Sequence, residues 1–419
     1  MPEMIETKEM KEKVILAAVA TSESEHVEES VEELAELAKT AGAETVGTLI
    51  QNRESVHPGT YLGKGKIEEL AALIEETGAD GVICDDELSP AQMANLADML
   101  GTKVMDRTLV ILDIFASRAS TREGKIQVEL AQLKYRATRL TGFGTSMSRL
   151  GGGIGTRGPG EKKLEIDRRL IKTRIAQLNK ELEAVKRHRE VAREQRSKNR
   201  VPVAAIVGYT NAGKSTLLNT LTAAGVLEED KLFATLDPTT RNLTLESGQQ
   251  ILLTDTVGFI RKLPHHLINA FRSTLEEAKF ADIIIHVVDI SNPQMVSQMR
   301  TVYETLENLG VSGKPIITAF NKIDRRTDGS RADIRDFNAD KEVYISAKNK
   351  TGLDTLLDTV ETILREQKVY LEKVFDYKEA GEITLIRKYG QLLKEEYTDK
   401  GIEVAAWIPQ DIYSRLTKK

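Results

Sequence analysis

Disulfides, a secretory signal and membrane spans are all missing from this sequence. A single cysteine, Cys84, among 419 residues excludes an intramolecular disulfide, which fits a reducing compartment. No apolar run reaches the roughly 18–20 residues of a membrane-spanning helix. The polar, acidic start, MPEMIETKEMKEK, lacks the basic residues and the apolar core of a secretory signal. We therefore expect a cytoplasmic protein without integral membrane association, in which Cys84 is packed in a strand and not catalytic.

Charge is distributed unevenly along the chain, although the net charge is only −5. Residues 1–117 contain 9 Lys+Arg and 24 Asp+Glu, residues 118–200 contain 22 and 9, and residues 201–419 contain 28 and 31. The three balances are therefore −15, +13 and −3. A basic segment beside an acidic one predicts contact with an anionic partner, either nucleic acid or a membrane surface. A solvated, charged helix without a partner is the alternative.

Short β-rich runs alternate with helical patterns over residues 1–117. Strands separated by helices predict a small parallel α/β domain. Ser89 and Pro90 form a helix start, with a capping residue followed by proline at the first position. The GKGK segment at 63–66 lacks a complete phosphate-binding motif and is predicted to be a turn. The predicted strands cover 14–19, 45–50, 81–84 and 103–105.

Eight glycines lie within the nineteen residues 142–160. That density predicts a loop without helix or strand. The loop also carries two arginines, whereas a passive linker would be neutral and rich in serine. Backbone N–H groups and arginines in such a loop can contact RNA phosphates and bases. The predicted RNA-contacting residues are Arg149, Gly151, Gly152, Gly153 and Arg157.

A long basic helix is predicted from about residue 162 to 199. Its apolar residues are spaced alternately by four and three, which is the spacing of a coiled-coil seam. The nearest partner for one such seam is the preceding helix, predicted over 123–141. We therefore predict an antiparallel helical hairpin with the glycine-rich loop at its tip. The seam residues are Ile171, Ile175, Leu178, Leu182 and Val185.

The sequence GYTNAGKS at 208–215 follows an apolar, β-branched run at 203–207. It matches the G-x-x-x-x-G-K-[ST] phosphate loop in its required place between a strand and a helix. Its glycines let several backbone N–H groups point at one anion, and the following helix adds its positive N-terminal end. Lys214 is predicted to reach the β- and γ-phosphates, and the Ser215 hydroxyl to bind Mg²⁺.

Three further motifs follow predicted strands at suitable distances. DTVG at 255–258 is predicted to hold Mg²⁺ through water with Asp255 and to sense the γ-phosphate with the Gly258 N–H. NKID at 321–324 is predicted to select guanine. The Asp324 carboxylate can accept hydrogen bonds from both N1 and N2 of guanine, and adenine lacks this pair of donors. SAK at 346–348 offers the Ala347 N–H to guanine O6. All four motifs end strands of one sheet, where ligands bind in open α/β folds. The sequence therefore predicts a GTP-binding site.

The segment LFATLDPTTR at 232–241 lies between the phosphate loop and Asp255. In that position it is predicted to be switch I, which supplies a threonine to Mg²⁺ in the triphosphate state and is released when the γ-phosphate is lost. Thr235, Thr239 and Thr240 are the candidates, and the pattern does not choose among them.

The glycine segment GGGIGTRGPGE at 151–161, the phosphate loop and the switch FATLDPTTR together resemble the HflX family of translational GTPases. The resemblance extends from the N-terminal α/β domain to about residue 370. It implies an α/β part and a helical part followed by a GTPase domain. It also implies binding to the ribosome, chiefly the large (50S) subunit and its rRNA, and splitting of stalled ribosomes into subunits. The helical, glycine-tipped part would enter the ribosome near its peptidyl-transferase region.

The resemblance further implies that 233–237 contact the nucleotide and that Thr235 is the switch I ligand of Mg²⁺. We therefore predict Lys214, Thr235 and Gly258 as catalytic, and Ser215 and Thr235 as metal ligands. The predicted residues binding GTP or GDP are Gly208, Tyr209, Thr210, Asn211, Ala212, Gly213, Lys214, Ser215, Thr216, Phe233, Ala234, Thr235, Leu236, Asp237, Asp255, Thr256, Val257, Gly258, Asn321, Lys322, Ile323, Asp324, Ser346, Ala347 and Lys348.

Two positions bear on the mechanism. Phe259 follows DTVG at the place where Ras-like GTPases have the glutamine that orients water, and a phenylalanine cannot hydrogen-bond to that water. This predicts slow intrinsic hydrolysis that a partner stimulates, unless the ring packs away and is irrelevant. Asn211 lies within the phosphate loop. GTPases similar to this one can use an asparagine at this position to hold a K⁺ ion, so Asn211 is a candidate K⁺ ligand.

The whole chain is predicted to be α/β. A small parallel α/β domain (1–117) and a helical hairpin (118–200) precede the P-loop GTPase domain (201–369), a mostly parallel sheet with helices on both faces. A small α/β domain with a strand-helix-strand pattern follows at 370–419. The leading function is ribosome splitting. The alternatives are a large-subunit assembly factor and a GTP-regulated adaptor at a membrane surface. We expect a monomer and no DNA partner.

Overall fold

A computed structural model describes residues 11–22, 26–147, 159–199, 201–222, 232–233, 235–263, 277–325 and 335–417. The chain forms two compact units. One contains Met1–Val185 together with Arg261–Phe271, and the other contains Lys186–Ile260 together with Arg272–Lys419. In the described part of the chain, no helix is long and apolar enough to cross a membrane.

The first unit contains a four-stranded parallel sheet in the order β2-β1-β3-β4. Its strands alternate with helices, as the sequence predicts, because each strand–helix pair buries one apolar face. Ser89 and Gln92 form a reciprocal capping box at the start of α3. The elements are β1 Lys13–Ala20, α1 Val27–Thr40, β2 Glu44–Asn52, α2 Lys64–Thr77, β3 Gly81–Cys84, α3 Pro90–Leu100, β4 Lys103–Asp106 and α4 Arg107–Arg118.

One of two minor predictions for this domain is confirmed and the other is wrong. Cys84 is fully buried on β3, and burial raises the pKa of its thiol, so it is a packed strand residue. The turn predicted at 63–66 is wrong, because this segment is where α2 begins: Gly63 is the N-cap residue, residues 64–66 are helical, and Lys66 forms an ion pair with Glu69 at 2.7 Å.

Two long helices, α5 (Arg122–Met147) and α6 (Pro159–Asn199), form the predicted antiparallel hairpin. Arg174 donates to Glu129 at 2.7 and 2.9 Å, and Arg168 donates to Leu140 O at 2.9 Å. Positions later in α6 therefore face positions earlier in α5. The seam prediction is confirmed for four of its five residues, Ile175, Leu178, Leu182 and Val185, which pack with Ile126, Leu130 and Leu133.

The prediction that 142–160 contains no helix is wrong at both ends. Helix α5 continues through Gly142 and Gly144, and α6 begins at Pro159 and includes Gly160. Glycine costs a helix only about 0.5–1 kcal/mol relative to alanine, and a helix that has already formed extends easily. Proline is also favourable in a first turn. Residues 148–158, with Arg149, Gly151, Gly152, Gly153 and Arg157, lie outside the described residues.

The second unit contains a six-stranded sheet in the order β10-β9-β8-β5-β7-β6. All pairs are parallel except β6 with β7. The predicted P-loop GTPase fold is thereby confirmed. The elements are β5 Val203–Gly208, α7 Lys214–Thr222, β6 Thr239–Thr244, β7 Gln250–Asp255, β8 Ile283–Asp289, α8 Met295–Asn308, β9 Ile316–Asn321, β10 Lys341–Tyr344 and α9 Leu353–Glu366.

The C-terminal segment has one strand and one helix more than the predicted strand-helix-strand. It comprises β11 Val369–Phe375, α10 Ala380–Tyr389, β12 Gln391–Thr398, β13 Gly401–Ile408 and α11 Gln410–Thr417. Its antiparallel sheet has the order β11-β13-β12, and Trp407 lies on β13. Gln391 donates to Glu361 O at 2.8 Å and Lys368 to Gln249 Oε1 at 2.5 Å, so the segment is tied to the GTPase sheet and its helices.

Candidate nucleotide-binding site

The phosphate loop joins β5 to α7, and two of its glycines are required by close contacts. Gly213 has a φ of +98°, and a Cβ there would lie 2.3 Å from Asn321 Nδ2. A Cβ on Gly208 would lie 2.3 Å from Val287 O of the neighbouring strand β8. Any side chain at either position would displace the loop. The curled loop and the positive end of α7 together form a site suited to an anion.

Lys214 is the cation of this loop and is only 6% exposed. Its ammonium donates to Tyr209 O at 2.7 Å. Burial lowers the pKa of Lys214 to about 8, although Asp255 opposes that effect. A buried ammonium next to converging N–H groups is suited to the β- and γ-phosphates, whose charge would replace its lost hydration.

Side chains from three separate segments meet at Ser215. Its Oγ lies 2.7 Å from Thr235 Oγ1 and donates to Asp255 Oδ2 at 2.8 Å. Of the three switch I candidates, Thr235 is therefore the one beside Ser215. Thr239 and Thr240 are instead ladder residues of β6, and the Thr240 hydroxyl lies 3.0 Å from that of Thr254.

This cluster fits Mg²⁺, which prefers oxygen ligands in an octahedral arrangement. Asp255 is fully buried, and its Oδ1 has no hydrogen-bond partner in the described part of the chain. Burial raises the pKa of Asp255, and Lys214 opposes that rise. Ser215 and Thr235 would hold the ion directly and Asp255 through water. The described residues contain no group of three or more His, Cys, Asp or Glu side chains that could hold a metal.

The residues predicted to select guanine form a second cluster at the ends of β9 and β10. Asp324 is exposed, and Ser346 Oγ donates to its Oδ1 at 2.5 Å. That hydrogen bond is the main reason why the pKa of Asp324 is lowered, so the carboxylate is kept charged and oriented. Asn321 donates to Ala212 O at 2.9 Å and thereby connects this cluster to the phosphate loop.

The Ala347 N–H, predicted to meet guanine O6, has a protein acceptor in this structure. It donates to Asn321 Oδ1 at 3.0 Å. A contact with O6 therefore requires sharing or exchanging that hydrogen bond, and it stays a prediction for the nucleotide-bound protein.

Lys322 is held by a residue that the sequence reasoning missed. Its ammonium lies 2.7 Å from Asp289 Oδ2 and donates to Asn211 O, also at 2.7 Å. Asp289 ends β8, and its position at the same sheet edge as the other motifs was the available signal. The ion pair fixes the Lys322 stem close to the phosphate loop, as is needed if the stem is to cover the base.

Phe259 is joined to the phosphate loop through its backbone. Its N–H donates to Gly208 O at 3.1 Å, and its carbonyl accepts from Thr210 N at 2.8 Å. The ring is buried, with 2% of the residue exposed. The residue that replaces the water-orienting glutamine is therefore a packed element of the site, and its side chain carries no polar group to position water.

The structure thus places the four motifs at one edge of one sheet, as predicted. Ala234 lies outside the described residues, whereas its neighbours Phe233, Thr235, Leu236 and Asp237 are described. Phe233 and Leu236 are buried. Thr216 and Ile323 are half-buried, and Lys348 is exposed. The roles assigned to individual residues remain predictions.

Comparison with known proteins agrees with this geometry. Family models described as "GTP-binding GTPase N-terminal", "GTP-binding GTPase Middle Region" and "50S ribosome-binding GTPase" match residues 28–116, 118–196 and 203–322. The GTPase HflX of Lacrimispora saccharolytica is 68% identical over 416 residues, covering 99% of this chain and 98% of that protein. The chain belongs to the HflX family of GTPases. The resemblance to the HflX family that the sequence motifs indicated is therefore confirmed.

This HflX-family protein also resembles more distant proteins. The GTPase HflX of Escherichia coli (strain K12) is 44% identical over 333 residues, which cover 79% of this chain and 78% of that one. Among solved structures, a GDP complex of the protein named SsGBP is 28% identical, with a TM-score of 0.47, and covers 84% of this chain and 98% of the other. The family assignment rests on the sequence matches. They make this HflX-family protein a guanine-nucleotide-binding protein and a GTPase.

Proposed function

We propose that this HflX-family GTPase binds the ribosome, chiefly the large subunit, and uses GTP binding and hydrolysis to separate stalled or dormant ribosomes into subunits. One observation carries the proposal: a complete nucleotide site follows directly on a long basic helical hairpin. The hairpin is stabilised by its own apolar seam. Its excess of basic residues favours an anionic partner.

Charge and family membership both favour RNA as that partner. Residues 118–200, with 22 Lys+Arg against 9 Asp+Glu, cover α5 and α6. Such a surface attracts nucleic acid by releasing its counterions. The matching model for 203–322 is described as a 50S ribosome-binding GTPase. Arg149, Gly151, Gly152, Gly153 and Arg157 are the proposed RNA contacts between the two helices.

Within the site, the chain's own residues have distinct roles. Lys214 binds the β- and γ-phosphates, Ser215 and Thr235 hold Mg²⁺, and the Gly258 N–H senses the γ-phosphate. Asp324 selects guanine over adenine. Mg²⁺ supplies charge neutralisation between the phosphates as hydrolysis proceeds. Asn211 is the proposed K⁺ ligand, and equal activity in NaCl and KCl would contradict that role.

We further propose that intrinsic hydrolysis is slow and that the ribosome stimulates it. The buried Phe259 ring offers no hydrogen bond to the attacking water, so another group must place it. Turnover is measured with and without ribosomes. A fast rate for the isolated protein would contradict the idea.

Two alternative functions use the same site. An assembly factor for the large subunit would need the same basic hairpin, but it would bind immature particles. A membrane-surface adaptor would use the basic helices on acidic lipids. The glycine segment disfavours the second alternative, because membrane anchoring requires apolar side chains that it largely lacks.

Sedimentation with whole ribosomes separates these functions. The protein is incubated with ribosomes and a non-hydrolysable GTP analogue, and the mixture is sedimented. Free subunits are the expected result. Intact ribosomes without bound protein would overturn the proposal, and binding only to immature subunits would favour assembly. Replacing Arg149 and Arg157 together with alanine should abolish splitting while nucleotide affinity is unchanged. The division into domains at 1–117, 118–200, 201–369 and 370–419 is part of this proposal.

A further inference from the structure

The helical hairpin has a cavity at the point where its predicted seam begins. Ile171 has the spacing of a seam residue, but within the described part of the chain it lies outside the packed cluster that contains the other four. A cavity of about 500 Å³ lies here between α5 and α6. It belongs to a single compact unit, Met1–Val185. Among the described side chains, its lining consists of Arg136, Arg139, Leu140, Asp167, Leu170 and Ile171.

Contacts between the two helices on either side of the cavity set their spacing. On one side, Arg168 of α6 donates to Leu140 O of α5 at 2.9 Å. On the other side, Ile175 packs into the seam, and Arg174 donates to Glu129 at 2.7 and 2.9 Å. The protein's own contacts therefore hold the helices at this distance, and the cavity is preformed, as small-ligand sites usually are.

Arg139 is a fixed part of the lining. Its guanidinium lies 3.2 Å from the centre of the Tyr135 ring. It also donates to Asp106 at 2.8 Å and to Leu88 O at 3.0 Å. These three contacts keep the guanidinium in one place, so this part of the lining has a defined position before any ligand binds.

The lining combines aliphatic and charged side chains in the way that ligand sites do. Leu170 is 62% exposed, and Leu140 and Ile171 are half-buried. Such sites are mostly apolar and carry a few polar groups that orient the ligand. Here the polar groups are the two arginines and Asp167. The cavity therefore fits a group with apolar faces and a polar edge.

Charge favours an anionic polymer as the carrier of that group. Residues 118–200 contain 22 Lys+Arg against 9 Asp+Glu, and Arg136 at the cavity is exposed. This surface attracts nucleic acid and repels basic proteins. Unstacked bases of single-stranded RNA stack on arginine guanidinium planes and on flat apolar surfaces. The Asp167 carboxylate can accept from the N–H groups of a base edge, whereas a phosphate offers it no donor, so the base and not the phosphate fits inside.

We propose that this cavity binds one unstacked nucleobase of single-stranded RNA, while the basic surface of the hairpin holds the flanking phosphates. The inference rests on the RNA partner of the proposed function and adds a site for it on the two helices, separate from residues 148–158. Double-stranded RNA would contact the same basic surface, but its paired bases would not enter the cavity.

The test compares the affinities of the full-length protein for a short single-stranded RNA and for a duplex of the same length. Leu170→Ala should lower the affinity for the single strand by about fivefold, at the lower end of the losses that follow removal of one base contact. Affinity for the duplex should not change. Ile166→Ala is the matched control, because Ile166 lies one turn earlier on α6, is 59% exposed and is not among the described residues that line the cavity.

A second measurement reports on the base itself. The single strand carries 2-aminopurine, a fluorescent adenine analogue whose emission rises when it leaves the base stack. The wild-type protein and Ile166→Ala should both raise this emission, and Leu170→Ala should not. Leu170→Met, which keeps the volume of the apolar side chain, should behave like the wild type.

Three outcomes would overturn the proposal. One is an equal effect of Leu170→Ala on single-stranded and duplex RNA, and another is an equal effect of Leu170→Ala and Ile166→Ala. The third is binding to vesicles of acidic phospholipid that depends on Leu170 when RNA binding does not, which would assign the cavity to an acyl chain. None of these measurements contains ribosomes, so their failure is distinct from a failure of ribosome splitting in the sedimentation experiment.

Discussion

Ser215 Oγ and Thr235 Oγ1 lie 2.7 Å apart although twenty residues separate them in the chain. The first belongs to the start of α7 and the second to switch I. Asp255 joins them from the end of β7 through its hydrogen bond to Ser215. Two hydroxyls brought together beside a buried carboxylate form the part of the site that we propose holds Mg²⁺.

Thr235→Ala should lower the affinity for a GTP analogue in Mg²⁺ by about tenfold, or roughly 1.4 kcal/mol, because one metal ligand is lost. GDP affinity should change little, since switch I serves the triphosphate state. Titrating Mg²⁺ against fluorescent analogue binding measures the effect. Thr240→Ala, at the ladder position opposite Thr254, is the control. An equal loss in both variants would show that switch I does not supply the metal ligand through Thr235.

Nucleotide affinity should fall as the pH rises through about 8. Burial lowers the pKa of Lys214 to about 8 in the free protein. Phosphate charge favours the protonated ammonium, so above that pH binding must be accompanied by uptake of a proton. Affinity for GDP is measured between pH 7 and 9. Lys214→Arg, whose guanidinium does not titrate in this range, should give a nearly flat profile, and a parallel decline in both proteins would rule out Lys214 as the cause.

Asp324→Asn should weaken GTP binding by about 2 kcal/mol or more and improve binding of xanthosine triphosphate. The amide nitrogen of asparagine would face the N–H groups of guanine, leaving donors unpaired, whereas the additional carbonyl of xanthine can accept from it. Competition between the two nucleotides gives the selectivity. Unchanged preference for GTP would mean that Asp324 does not contact the base.

Asp336 should make the stability of the second unit sensitive to strong acid. Burial acts to raise the pKa of Asp336, but hydrogen bonds, including those from Thr318 at 2.5 Å and Tyr303 at 2.6 Å, outweigh it and lower the pKa to about 2. Because the folded pKa lies below the unfolded value of about 3.9, this contribution is complete above pH 4 and is lost as the pH falls through about 2. Thermal unfolding followed from pH 5 to pH 2 measures this contribution to stability.

Asp336→Asn, which cannot titrate, should reduce the free energy of unfolding at pH 7 by up to about 2 kcal/mol. The difference between wild type and variant should shrink as the pH falls towards 2. A difference that stays constant over this range would show that the carboxylate charge is not responsible.

Local sequence patterns were sufficient to predict the elements that have a strong hydrophobic period or a strict motif. The alternation of β-rich and amphipathic segments in residues 1–117 predicts the parallel sheet, because each strand must be buried between helices. The 4-3 spacing from Ile175 to Val185 predicts the hairpin seam. Each phosphate- and base-binding motif needs particular residue types at one spacing, so short stretches of sequence identify it.

Predictions failed or stayed open where the structure depended on the cooperativity of helix formation or on contacts between residues far apart in the chain. Gly142 and Gly144 are helical because α5 is already formed and packed before it reaches them. The turn between β12 and β13 is so short that the sequence pattern predicts one strand where the structure has two. The choice among Thr235, Thr239 and Thr240 needed a family resemblance, since the position of switch I is set by contacts with Ser215.

The sequence by itself determined the ligand class and the family. The chemistry of guanine and phosphate recognition is encoded in contiguous motifs, which carry Lys214, Ser215 and Asp324. Only the tertiary structure decided which partners those residues have. It showed that Asp289 holds Lys322, that Asn321 joins the phosphate loop to the base-binding loop, and that Asp106 receives Arg139. Such pairs are separated by many residues and follow no period, so they become apparent only when the folded chain brings the charges within hydrogen-bonding distance.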